Sequence, residues 1–73
     1  MTIVKEMIAL TVNGETFRIA EGSSVLDLVR ELELNPKKVA FDRNLEIVPR
    51  STLANVILAE GDILEIVHFV GGG

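Results

Sequence analysis

Apolar and polar positions alternate with period two at the start of the chain, in "IALTVNGETFRI". Asn13-Gly14 interrupts two such runs, and this dipeptide suits a type I′ turn, which needs positive φ at both central residues. A two-residue loop sets the register by arithmetic: Val12 opposes Glu15, Leu10 opposes Phe17, and Ile8 opposes Ile19. Ile8, Leu10, Phe17 and Ile19 then share one face of a hairpin. Ala9, Thr11, Thr16 and Arg18 take the other.

The period changes to that of a helix in "EGSSVLDLVRELELNP". Val25, Leu28, Val29 and Leu32 form one stripe at i, i+3, i+4, i+7, with Asp27, Arg30 and Glu31 opposite. Ser24 and Asp27 have the spacing of a capping box. Asn35 suits a left-handed C-cap and Pro36 blocks continuation, so the pattern predicts about three turns. Two short strands come next, "KVAFDRN" and "LEIVPR", with a turn near Asn44; Pro49 confines the second to an edge or a terminus. "STLANVIL" is irregular, with one helical turn capped by Ser51. Glu60–Asp62 form a turn, and "ILEIVHFV" reads as an interior strand.

One amphipathic helix and four or five strands make an α+β domain of two layers, a mixed sheet with the helix on one face. A helix crossover lets the last strand lie inside the sheet beside the first. That arrangement is the β-grasp, or ubiquitin-like, fold. The expected domain covers residues 1–70, with 1–6 as a loose leader and 71–73 as a flexible Gly-Gly-Gly tail.

Alternation divides the last strand. Leu64, Ile66, His68 and Val70 fall on one side; Ile63, Glu65, Val67 and Phe69 fall on the other. Glu65 belongs in water, because a buried unpaired carboxylate is costly. Val67 and Phe69 must then share the open face, immediately before the glycines. They form either a docking patch or a pair covered by neighbouring strands or the 51–58 segment. Val70, next along the strand, completes the candidate docking set.

Composition narrows the chemistry. The 73 residues suit one small domain, stable by roughly 4–11 kcal/mol at typical per-residue values. There is no Cys, hence no disulfide, thiolate nucleophile or Cys-based zinc site. Eleven acidic residues against seven basic ones give a net charge of −4, and Tyr and Trp are absent. Such a chain is a poor nucleic-acid binder. No apolar run reaches membrane-spanning length, and the N-terminus lacks a signal-peptide layout. The expected setting is the cytoplasm, with the chain monomeric when free.

No catalytic constellation is present. His68, the single histidine, lies in an apolar strand with no nucleophile or orienting partner in view. Glu60 and Asp62 read as a solvated turn, with too few ligands for calcium. No phosphate-binding glycine motif is present, so the chain is not expected to bind ATP by itself. No metal site is expected. What remains is "GGG" at Gly71–Gly73: either a frayed end or a bare arm whose carboxylate is the working group.

Three stretches carry a resemblance that favours the working arm. "TVNGETFRIAEGSSVLDLVREL" is similar to the opening hairpin and helix of the ThiS family, the thiamine-pathway sulfur carrier proteins. "VAFDRNLEIVPRS" resembles that family's V-A-x-x-x-N-G-E-I-V-P-R segment, and "EGDILEIVHFVGGG" its G-D-x-x-E-I-V-x-x-V-G-G-G ending. The chain departs at Leu45, where the family usually has Gly, and in about six extra residues before Ile8. The Leu45 turn must therefore differ or be strained.

The resemblance implies a co-substrate protein, not an enzyme. A ubiquitin-activating-type adenylyltransferase would use MgATP to adenylate the carboxylate of Gly73. A sulfur donor would convert it to a thiocarboxylate, and thiazole synthase would receive the sulfur. Gly71 and Gly72 would thread the partners' channels, and the chain itself would bind no cofactor. The small subunit of molybdopterin synthase or another pathway's carrier, a prokaryotic ubiquitin-like modifier, and a non-catalytic interaction module stay open as alternatives.

Overall fold

The structure, a computed structural model, describes residues 6–69. The leader, apart from Glu6, and Val70, Gly71, Gly72 and Gly73 lie outside the described residues.

The opening hairpin has the register that turn arithmetic demands. β1 (Met7–Val12) pairs antiparallel with β2 (Glu15–Ala20), Val12 facing Glu15, Leu10 facing Phe17 and Ile8 facing Ile19. Asn13 and Gly14 take φ of 49° and 83°, as a type I′ turn requires. Ile8, Leu10 and Ile19 are buried, and Phe17 packs against the core they begin.

Helix α1 spans Val25–Glu31. Ser24 accepts from the Asp27 N–H at 3.1 Å, and Asp27 Oδ2 accepts from the Ser24 N–H at 2.9 Å, completing the capping box. The other leading N–H groups, which a helix cannot satisfy internally, find main-chain acceptors in a later segment. Val25 N–H donates to the Val56 carbonyl at 2.9 Å and Leu26 N–H to that of Leu53 at 3.0 Å.

The helix ends earlier than the pattern predicts. Glu33, not Asn35, takes the left-handed conformation, with φ 56°. Leu34 N–H returns to the Val29 carbonyl at 3.0 Å and Glu33 N–H to that of Arg30 at 3.1 Å, the two bonds of a Schellman motif. This turns Leu34 back against the core, which a further helical turn would prevent. Asn35 instead accepts from the Lys37 N–H at 2.9 Å, shaping the bend into the next strand.

β3 (Val39–Arg43) and β4 (Glu46–Val48) form a second hairpin. Its two turn residues, Asn44 and Leu45, have φ of 52° and 72°. The turn therefore keeps the form that suits Asn-Gly, and Leu45 bears the strain. A 3₁₀ turn comes after it at Arg50–Thr52. Ser51 does not cap it, since it lies within the turn; Thr52 Oγ1 donates to the Pro49 carbonyl at 2.8 Å instead.

β5 (Ile63–His68) completes a five-stranded sheet in the order β2-β1-β5-β3-β4. It runs parallel to β1 and antiparallel to β3. The last strand thus lies inside the sheet beside the first, the β-grasp arrangement. Helix α1, with Leu53 and Leu58, covers one face, where Leu64, Ile66, Phe41 and Val39 are buried. His68, on the same side by alternation, is exposed because it is the last residue of β5.

Candidate functional site

The uncovered face of the sheet is where β5 presents its other set of side chains. Ile63, Glu65, Val67 and Phe69 are all exposed, with Val67 at 59% and Phe69 at 56%. The 51–58 segment does not cover them, because it is bonded to the N-terminal end of α1 through Leu53, Val56 and Leu58. Val67 lies opposite Ala40 of β3. Phe69 shares a groove with Ala40, Ile47, Pro49 and Arg50. Ile47, 80% exposed on β4, therefore extends the apolar surface. Sequence reasoning left Ile47 out, although its parity relative to the buried Val48 was the available signal.

An acidic pair adjoins this surface. Asp42 lies directly opposite Glu65, and Ile47 lies opposite Asp42 on the next strand. Like charges directly opposed across strands are destabilising. The open face so combines an apolar patch with two carboxylates that oppose each other.

The base of β5 is held by a polar cluster around Asp62; the turn is solvated at Glu60 and Gly61, as the sequence suggests, but not at Asp62. Asp62 is 6% exposed. Its carboxylate accepts from the Ala59 N–H at 2.8 Å, from Arg43 Nε at 2.9 Å and from Asn44 Nδ2 at 3.0 Å. Asn44 Oδ1 in turn accepts from the Ile63 N–H at 2.9 Å. Burial by itself pushes the Asp62 carboxyl up, but those three donors and the charge of Arg43 outweigh it and hold the group below the usual aspartate value. Glu60 accepts from the Ala9 N–H at 3.1 Å. Both carboxylates thus serve main-chain and strand fixation. Among the described residues no cluster suited to a metal ion is present, and no helix is long and apolar enough to cross a membrane.

Of the site residues read from the sequence, the structure places Val67 and Phe69 together on the open face. Val70 and the arm Gly71, Gly72 and Gly73 fall beyond Phe69, outside the described residues. The last positioned main-chain bond before them is from Phe69 N–H to the Lys38 carbonyl at 2.9 Å.

Comparison with known proteins places this architecture. The model of the ThiS family matches residues 2–73. The chain is 37% identical over 65 residues to the sulfur carrier protein ThiS of Bacillus subtilis, covering 88% of this chain and 98% of that one. It is also 48% identical over 64 residues to a thiazole synthase of Paramagnetospirillum magneticum, covering 88% of this chain. The chain spans about a fifth of the length of that relative, 20%, and 19% of a second thiazole synthase, from Magnetococcus marinus. The crystal structure of thiamine biosynthesis protein ThiS from Geobacter metallireducens superposes with a TM-score of 0.78 at 30% identity, covering 90% of this chain and all of that one. By a match along nearly its whole length and a relative of the same size, this chain belongs to the ThiS family.

Proposed function

We propose that this chain is a cytoplasmic sulfur carrier protein of thiamine biosynthesis, a co-substrate and not an enzyme. The observation that carries the reading is family membership over residues 2–73, a span that includes Gly71–Gly73. The exposed Val67 and Phe69 directly before those glycines support it.

The chemistry centres on the terminal carboxylate. At neutral pH the α-carboxylate of Gly73 is ionised, with a reference pKa of about 3.5, and is a poor electrophile. An activating enzyme supplies MgATP; the carboxylate attacks the α-phosphorus, pyrophosphate leaves, and an acyl-adenylate forms. A sulfur nucleophile at the sulfide oxidation level then attacks the carbonyl carbon. The bond to AMP breaks, and a thiocarboxylate remains. Glycine has no Cβ to obstruct that attack, and a bare backbone enters a narrow channel.

Docking falls to Val67, Phe69 and Val70. The groove beside Phe69 offers a seat for an apolar side chain, and Asp42 and Glu65 offer a basic partner group two carboxylates at once. The proposed partners are a ubiquitin-activating-type adenylyltransferase and thiazole synthase. Relatives named thiazole synthase contain a stretch similar to this chain, which supports the second partner.

Incubation with a competent activating enzyme, MgATP and a sulfur source tests the reading. The intact mass should rise by one oxygen-for-sulfur exchange, and only when ATP is present. The absence of Cys makes a side-chain persulfide impossible as the origin of that gain. An unchanged mass would sink the carrier reading, and adducts on lysines of other proteins would point to a modifier.

A further inference from the structure

β1 and β5 run side by side for only a short distance. Two residue pairs align, Thr11 with Ile63 and Val12 with Leu64. β1 then turns back at Asn13-Gly14, while β5 continues to His68. Past Leu64, the edge of β5 that faces β1 has no neighbouring strand among the described residues to supply main-chain partners.

Asn13 supplies them from its side chain. Its main-chain N–H donates to the Leu64 carbonyl at 2.9 Å, the last rung made by backbone alone. One rung further, Asn13 Oδ1 accepts from the Ile66 N–H at 2.7 Å, and Nδ2 donates to the Ile66 carbonyl at 3.1 Å. A carboxamide presents the same donor and acceptor as a peptide group. The parallel ladder is therefore extended by one position without a residue of β1 to extend it. On the opposite edge, β3 pairs with Val67 and His68, and the Lys38 carbonyl accepts from the Phe69 N–H.

The turn alone does not need this side chain. Positive φ at position 13 suits Gly at least as well as Asn, so a Gly-Gly turn would keep the hairpin. Asp would keep an acceptor for Ile66 N–H but lose the donor to its carbonyl. Only Asn fits both the turn and the two bonds to β5.

We infer that Asn13 is a positioning residue whose side chain grips β5 at Ile66 and fixes the direction in which the chain leaves the sheet toward the glycines. The inference rests on the proposed carrier function, since it matters only if the residues after Phe69 must reach a partner's reaction centre. Docking through Val67 and Phe69 is a separate contribution. Loss of the grip should therefore lower the rate of charging without weakening association.

Asn13→Gly isolates the grip. Two measurements are made on the full chain. The first is amide hydrogen exchange at Ile66, with Leu28 as the core reference. Ile66 should exchange at least tenfold faster in the variant, since both side-chain bonds to it are lost, and Leu28 should accelerate by a clearly smaller factor, set only by the change in overall stability. The second is ATP-dependent pyrophosphate release with the activating enzyme. The variant should show kcat lowered about tenfold and KM within about twofold of the parent chain, the pattern of an interaction that acts after binding. Unchanged exchange at Ile66, an unchanged kcat, or a loss confined to KM would each overturn the inference. Equal acceleration at Ile66 and Leu28 would also overturn it, since Asn13 would then only stabilise the fold. If the unaltered chain is not charged at all, the carrier reading itself fails, and that outcome is visible before any variant is compared.

Discussion

Leu45 is the residue whose replacement should stabilise the protein. It occupies the second position of the β3–β4 turn at φ 72° and is 88% exposed. A left-handed conformation costs a residue with a Cβ about 1–2 kcal/mol. Leu45→Gly removes that cost. Against it stands the greater backbone freedom of Gly in the unfolded chain, about 0.5–1 kcal/mol. The slight burial of the Leu side chain adds a few tenths, roughly a tenth of the 1.5–3 kcal/mol for full burial. The net expectation is a gain of about 0.5 kcal/mol, or a Tm rise of about 2–4 °C for a domain of this size. Urea denaturation should show a higher midpoint with an unchanged slope, which places the effect in stability and not in the compactness of the unfolded state. Leu45→Ala is the control: it removes the exposed side chain but keeps a Cβ at positive φ, so its midpoint should not rise. A lower midpoint for Leu45→Gly, or an equal rise for Leu45→Ala, would refute the assignment of strain.

Asp62→Ala should destabilise by about 2–3 kcal/mol, because Arg43, Asn44 and the Ala59 N–H lose their common acceptor; a change below about 0.5 kcal/mol in urea titration, the range of an ordinary surface substitution, would show the cluster to be unimportant. The folded carboxyl of Asp62 lies below its unfolded value, so its contribution is complete above about pH 4 and is lost as pH falls through the folded value. Acid unfolding of the parent chain should therefore be steeper below about pH 4 than that of the Ala variant; coincident acid limbs would contradict this. Phe69→Ala should change stability by less than about 1 kcal/mol, since over half of the residue is already exposed, yet weaken binding to the activating enzyme, measured as Kd. Unfolding of that variant would make Phe69 a core residue.

The elements legible in the sequence are those fixed by neighbours in the chain. The Asn13-Gly14 hairpin and its register come from two turn residues and a period of two. The Ser24–Asp27 capping box joins residues three apart, and both of its bonds form. The parity of Ile63, Glu65, Val67 and Phe69 needed only the argument that Glu65 stays in water.

The features that escaped depend on distant partners. Asp62 reads as a surface acid until Arg43 and Asn44, 19 and 18 residues away, are brought to it. Asn13 is a turn residue by every local rule, and its second task involves Ile66, 53 residues on. The helix end is not where local rules put it because Glu33 has no local preference for positive φ. Tertiary packing of Leu34 overrides the better local candidate, Asn35. Leu45 shows the same override in another form: the hairpin geometry persists although the residue disfavours it.

The proposed function stands or falls with sulfur on the carboxylate of Gly73. Within residues 1–73 the last Lys or Arg is Arg50, so trypsin leaves residues 51–73 together on one peptide. After charging with the activating enzyme, MgATP and a sulfur source, that peptide alone should gain one oxygen-for-sulfur exchange. Fragmentation should place it on Gly73, and a chain lacking Gly73 should fold normally and gain nothing. Sulfur found on any peptide from residues 1–50, or equal loading of the chain without Gly73, would rule out Gly73 as the carrier.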